Sequence, residues 1–189
     1  MTLRALASLG AGLMLAFSLC SAHAFEPLPP PQPARGTVQA AFAPWNDVES
    51  LIIDVIDGAR RQVLVQAYLL TSKKMTQALI RAHRRGIDVR VLMDAEQTDK
   101  VPASQALALT EGGVSVWLET GYQNAHNKVI VVDGTTAAPV LVTGSYNYTW
   151  AAAHKNAENV LVLRDDPELA ARYVANWRRH QRDATPFRP

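Results

Sequence analysis

The sequence predicts an α/β domain with a mixed β-sheet flanked by helices, and three observations carry that prediction. Short aliphatic and β-branched runs recur along the chain, with "QVLVQAYLL" and "KVIVVD" the clearest. Between several of them lie segments with apolar residues three and four apart, the spacing of a helix with one buried face. Capping residues open those segments and glycine or proline separates them. Strands that alternate with helices layer the helices against a sheet.

In order, residues 1–24 read as a secretory signal peptide. Arg4 gives a positive start, Ala5 to Cys20 is uncharged and mostly apolar, and Ser21-Ala22-His23-Ala24 offers the small residues of a cleavage site. The apolar stretch is shorter than the roughly 20 residues that span a bilayer. Leu19 stands where a lipoprotein signal needs a small residue, so lipidation at Cys20 is not expected. Residues 25–36 hold Pro27, Pro29, Pro30, Pro31 and Pro33 and form an extended leader. The domain proper is 37–189, exported to the periplasm or beyond.

Val38–Phe42 reads as a strand. Asn46 or Asp47 caps a helix to about Arg61, with Val48, Leu51, Ile52 and Val55 on one face. Gln62–Leu70 is strand-like. Thr71 or Ser72 caps a helix that turns Met75, Leu79 and Ile80 inward and ends near Gly86. Asp88–Met93 is a strand, Ala103–Leu109 a helix stopped by Gly112-Gly113, and Val114–Leu118 a strand. Lys128–Asp133 and Val140–Thr143 are strands joined by a turn, Ala157–Leu163 is another, and Pro167–Arg182 is the last helix. No internal repeat is visible.

Composition narrows the chemistry. Cleavage after Ala24 removes the only cysteine, which excludes disulfides and thiolate metal sites from the mature chain. It leaves 18 basic against 17 acidic residues, so affinity for phosphate has to be local rather than a property of net charge.

The local feature is "AHNKVIVVDG", residues 125–134. Residues two apart on a strand share a face, so His126 and Lys128 project together at the mouth of an apolar run. Asp133 falls on the opposite face and is assigned a structural role, pairing with backbone or a nearby cation. In "TGSYNYT" the same period puts Ser145 and Asn147 on one face, and Gly144 allows close backbone approach. Hydroxyl, amide, ammonium and imidazole together suit a phosphate: three donate hydrogen bonds, and the imidazole attacks phosphorus or carries a proton.

His126-x-Lys128-x4-Asp133 followed by Gly144-Ser145-x-Asn147 resembles the signature of the phospholipase D superfamily. "HNKVIVVDG" through "NAENVLVL" is most similar to its small bacterial secreted endonucleases. The resemblance covers residues 37–183. It implies a phosphohistidine on His126, with Lys128 and Asn147 on the non-bridging oxygens and Ser145 assisting. Glu158 would hydrogen-bond an imidazole, fixing its tautomer and favouring its protonated form, and Asp133 would be structural. Ten residues separate Asp133 from Gly144, where the family has about six; the even difference preserves side-chain facing and lengthens the turn at Thr135–Pro139.

In-line attack by one histidine needs a second acid opposite, and the chain holds no other His-x-Lys. A twofold dimer supplies both from identical patches, with its lysines and asparagines stabilising the transition state without a metal. No cofactor, metal site or stable membrane association is expected. Arg81, Arg84 and Arg85, with Arg178, Arg179 and Arg182, are candidates for tracking a nucleic-acid backbone, against the plainer reading of solvated helix ends. His83, His154 and His180 lack metal-ligand spacing. Trp45, Trp117 and Trp177 are expected in the core; Trp150 is divided between core and base stacking. The function expected is a metal-independent phosphodiesterase, most simply a DNA or RNA endonuclease. The alternatives are a lipid phosphodiesterase of phospholipase D type and a non-catalytic phosphate-binding module.

Overall fold

The computed structural model describes residues 25–188, so the expected signal peptide and Cys20 lie outside the described residues. The compact unit runs Ala34–Pro189, and residues 25–33 carry no regular secondary structure. Its chain order is β1 (Thr37–Ala43), α1 (Val48–Asp57), β2 (Gln62–Ala67), α2 (Lys73–Arg84), β3 (Asp88–Asp94), α3 (Ala95–Lys100) and α4 (Ala106–Glu111). There follow β4 (Ser115–Glu119), β5 (Lys128–Val132), β6 (Val140–Gly144), α5 (Trp150–His154), β7 (Glu158–Arg164), α6 (Pro167–Asp183) and β8 (Thr185–Pro186). The strands form one mixed sheet in the order β1-β7-β6-β5-β2-β3-β4-β8. β2, β3 and β4 are parallel neighbours, and every other pairing is antiparallel.

Alternation along the strands divides the core. Val63, Val65, Val89, Val91, Ile130, Val132, Val160 and Val162 point to the face covered by α1 and α2. Leu64, Leu92, Val129, Val131 and Leu141 point to the other, under Trp177 and Val174 of α6. Central strands buried on both faces therefore read as unbroken apolar runs. Trp177 is 1% exposed and its Nε1–H donates to the Val65 carbonyl at 2.9 Å. Cutting it to alanine would cost about 3–5 kcal/mol.

Several boundaries differ from the sequence expectation for physical reasons. Asp47 and Ser72 cap α1 and α2, accepting from Ser50 N and Met75 N. α1 stops at Gly58 rather than near Arg61, because Asp133 takes the N–H groups of Arg60, Arg61 and Gln62. β2 ends at Ala67; beyond it the backbone turns to bond Tyr148 instead. α3, α5 and β8 were not expected, and α4 starts at Ala106 rather than Ala103. Each is too short for a periodic pattern to be read.

Trp45 corrects an expectation. It is 81% exposed, at a turn closed by Phe42 N–H donating to Asn46 Oδ1 and Asn46 N–H to the Phe42 carbonyl, both 2.8 Å. Trp117 is partly buried against Trp177, and Trp150 is 60% exposed. Arg81 and Arg85 reach across from α2 to Asp57 of α1. Arg85 also donates to the Asp57 carbonyl at 3.0 Å, so both arginines tie one helix to the other.

Candidate active site

One end of the sheet gathers the polar residues. Moving along the sheet from β7, the strand ends there are Glu158, Gly144–Ser145, Lys128, Ala67–Tyr68, Asp94 and Glu119. Adjacent strands lie about 4.8 Å apart, so the segments around Ser145, Lys128 and Glu158 are neighbours although they are distant in sequence.

Lys128 opens β5 opposite Ala67 and is 6% exposed. Its ammonium lies 3.0 Å from His126 Nδ1, donates to the His126 carbonyl at 3.1 Å, and sits 4.6 Å from the centre of the Tyr68 ring. The Tyr68 ring is 4.2 Å from that of His126. Burial pushes the ammonium down to about 8 from 10.5, with Glu158 opposing the shift. Partial burial also holds His126 below its ordinary value; the Lys128 charge adds to this and Asp94 opposes it. The outcome is an imidazole biased towards its neutral form beside a cation that stays mostly charged at neutral pH.

The lower side of the site is cut to shape by Gly144. A Cβ there would stand 2.2 Å from the Asn159 carbonyl oxygen, so β6 approaches β7 this closely only without a side chain. Ser145 N–H then donates to that carbonyl at 3.0 Å. Ser145 Oγ donates to Glu158 Oε2 at 2.5 Å and accepts from Asn159 N–H at 3.1 Å. Asn156 Nδ2 donates to Glu158 Oε1 at 2.9 Å. Within one chain, then, Glu158 holds Ser145 and Asn156, not an imidazole. Tyr146 and Tyr148 are buried at 1% and 2% and alternate with Ser145 and Asn147, which stay partly exposed. Burial raises both phenols, so they stay neutral. Asn147 Oδ1 has no hydrogen-bond partner among the described residues.

Asp133 stands apart, at the far end of β5, a separation of about 17 Å over five residues. Its Oδ1 accepts from Arg61 N–H at 2.7 Å and Gln62 N–H at 2.9 Å, and its Oδ2 from Arg60 N–H at 3.0 Å. The long turn from Asp133 to Pro139 is fastened there by Thr136, whose N–H and Oγ both donate to the Asp133 carbonyl. A surface cleft of about 810 Å³ also lies at that end, among Arg60, Arg61, Asp133, Thr136 and Arg164. None of the His126 constellation lines it.

Two contributors escaped the sequence reading. Tyr68 packs under both His126 and Lys128. Asp94, 1% exposed, accepts from Ala125 N–H at 2.7 Å with Oδ2 and from Gln97 N–H at 2.8 Å with Oδ1. It thereby fixes the residue before His126 to the start of α3. Both close a parallel strand at its carboxyl end, the edge where open α/β sheets place ligands, and that position was the available signal. The remaining histidines are engaged elsewhere. His180 Nδ1 is 2.5 Å from buried Glu119, with Tyr122 stacked on its ring, and His154 Nδ1 donates to the Trp150 carbonyl at 2.9 Å. Among the described residues no three His, Cys, Asp or Glu side chains cluster to hold a metal ion.

Comparison with known proteins identifies the family of the chain. Residues 52–180 match the family described as "Cardiolipin synthase, PLD-like domain". The chain is 37% identical over 146 residues to a phospholipase D of Rickettsia bellii, covering 77% of this chain and 70% of that one. It is 34% identical over 122 residues to a mitochondrial cardiolipin hydrolase of Xenopus laevis, covering 65% of this chain and 55% of that one. The crystal structure of Nuc, a phospholipase D family member from Salmonella typhimurium, superposes with a TM-score of 0.74. It is 27% identical, and the match covers 82% of this chain and all of Nuc.

Proposed function

The chain belongs to the phospholipase D superfamily and is one of its phosphodiesterases; from that premise we propose a metal-independent endonuclease that cleaves DNA through a phosphohistidine on His126. The observation that carries the chemistry is the pair at the sheet end: an exposed imidazole biased towards neutrality, 3.0 Å from the Lys128 ammonium. A nucleophile needs the neutral ring, and a phosphate needs the cation.

The pair also sets an order of events. A charged ammonium only donates, so its bond to His126 uses the Nδ1 lone pair and leaves the proton of the neutral ring on Nε2. Attack through Nε2 needs the other tautomer. A phosphate that draws Lys128 onto its oxygens frees Nδ1 to carry the proton, and a Glu158 carboxylate facing that nitrogen in the assembled site holds it there. Nε2 then bonds to phosphorus as the P–O bond breaks. The departing alkoxide takes a proton from the imidazolium of a second copy of the chain. That imidazole next deprotonates water, which attacks phosphorus and breaks the P–N bond. Lys128 and Asn147 steady the non-bridging oxygens, Ser145 assists by holding Glu158 in place, and Asp133 acts on the fold alone.

The nuclease reading is supported by the resemblance of the motif segment to small secreted endonucleases and by a likeness that spans the whole of Nuc. The names of the relatives from Rickettsia bellii and Xenopus laevis support a lipid diester as the second reading. Incubation of purified protein with plasmid DNA, RNA and phospholipid in excess EDTA tests both. Cleaved DNA is expected. Head-group release with DNA intact would establish the lipid reading, and binding without turnover would leave a phosphate-binding module. The proposed setting is the periplasm or the medium; a secreted chain beginning at Phe25 by mass is the expected check.

A further inference from the structure

Two indoles stand in water beside the phosphate site. Exposed single apolar residues are commonplace, but tryptophan is a large apolar side chain and is mostly buried in folded proteins. Trp150 is 60% exposed and Trp45 81%. Both are held to the site by short tethers. Trp150 opens α5 three residues after Asn147, and the Thr149 hydroxyl caps that helix. Just beyond the other end of α5, Asn156 donates to Glu158. Three residues of chain reach at most about 11 Å, so the Trp150 backbone stands close to Asn147. Trp45 follows two residues after Ala43, which pairs with Glu158 across the ladder. α5 packs against β1, which brings the turn after β1 that carries Trp45 near α5.

An imidazole and a cation flank Trp150. The His154 ring stacks on it at 4.8 Å with 15° between planes, and the Lys155 ammonium is 5.7 Å from its centre. An acyl chain gains nothing from such neighbours. A nucleobase does, because its flat face stacks on the indole while a flanking phosphate meets the Lys155 ammonium. Bases inside a duplex already stack on each other, so the platform selects an unpaired base.

We propose that Trp150, with Trp45 beside it, forms a stacking platform that holds an unpaired base next to the scissile phosphate and makes single strands the favoured substrate. The proposal rests on the nuclease reading above. Neither tryptophan touches the reacting atoms; both position the strand.

The test compares an intact single-stranded oligodeoxynucleotide with the same strand carrying abasic residues around the cleavage position. Trp150→Ala is expected to lose about tenfold or more in kcat/KM on the intact strand, mainly through KM. Trp45→Ala should move in the same direction, and Trp150→Phe should keep most of the activity. On the abasic strand wild type and Trp150→Ala should be equal. Equal loss on both strands, or no loss on either, overturns the platform. Wild-type tryptophan fluorescence should be quenched by the strand, and much less so in the Trp45→Ala/Trp150→Ala variant. A blue shift with phosphatidylglycerol vesicles and no response to the strand would make the patch a membrane contact instead. Dissociation of a dimer by Trp150→Ala in sedimentation would make it an interface between copies. Should wild-type protein turn over no nucleic acid, the nuclease reading fails by itself; quenching still decides the platform, because binding needs no turnover.

Discussion

An ammonium that is 6% exposed is held at a cost, and Lys128 shows how that cost serves the chemistry. Its folded value is about 8 against 10.5, so between those pH values the unfolded chain binds more protons than the folded one. Stability therefore rises with pH across that window and is lower beneath it. Lys128→Met removes the penalty, on the order of 3 kcal/mol. The variant is expected to melt higher than wild type at pH 7, with the difference shrinking as pH climbs from 8 to 10.5. It should also lose about 10²–10³-fold in turnover, as when a transition-state hydrogen-bond donor is removed. Melts and kinetics across pH check both; a variant less stable at pH 7 would deny the penalty. His126→Ala should abolish turnover and leave the melt nearly unchanged, because the side chain is exposed. At this scale the sequence was partly legible. Period 2 placed Ser145 and Asn147 together because Tyr146 and Tyr148 fill the core between them. Tyr68 and Asp94 were missed: their place at a strand's carboxyl end was a signal, but each gains its role only from a chain segment folded back onto it.

At the scale of elements, β5 connects two different jobs. Its first residue enters the site, while Asp133 just after its last residue receives three backbone N–H groups and joins the end of the α1–β2 loop to the β5–β6 turn. Asp133→Asn turns one accepting oxygen into a donor that faces an N–H group. A loss of about 2 kcal/mol is expected, seen as a lower melting temperature with the turnover of the folded fraction little changed. A variant as stable as wild type but inactive would move Asp133 into the chemistry. Strand parity already separated Asp133 from Lys128, but it could not show that a whole strand length intervenes. The long elements were legible because capping and burial patterns agreed within them. α3 and α5 were not, as each has only six or five residues, too few for a buried face to show a period. Trp45 misled for a different reason, since composition favours burial and only the closed turn around Asn46 turns the ring outward.

For the whole molecule the decisive fact is a missing acid. His180 is taken by Glu119 and His154 points Nδ1 at its own helix, so within the described chain neither is placed opposite His126. The fold offers a way to bring in another copy. On the face that carries α6, the β1–β7 end of the sheet is uncovered, leaving Val38, Phe42 and Leu161 at 58%, 48% and 39% exposure. This apolar strip runs up to Asn159, next to Glu158 and Ser145. Pairing two copies along it would bring their sheet ends together, and we propose that the active enzyme is that twofold dimer. Sedimentation should give twice the mature mass, and Phe42→Glu should shift it towards the monomer with a parallel loss of activity. Mixing is more telling than mass. A heterodimer of wild-type and His126→Ala chains holds one imidazole on the axis, which cannot serve as both nucleophile and acid. Purified heterodimers are therefore expected to turn over at far less than half the rate of the wild-type dimer. If they retain half, each chain completes the reaction alone, and the acid must then be sought within the single chain, in a water or in a shifted His154.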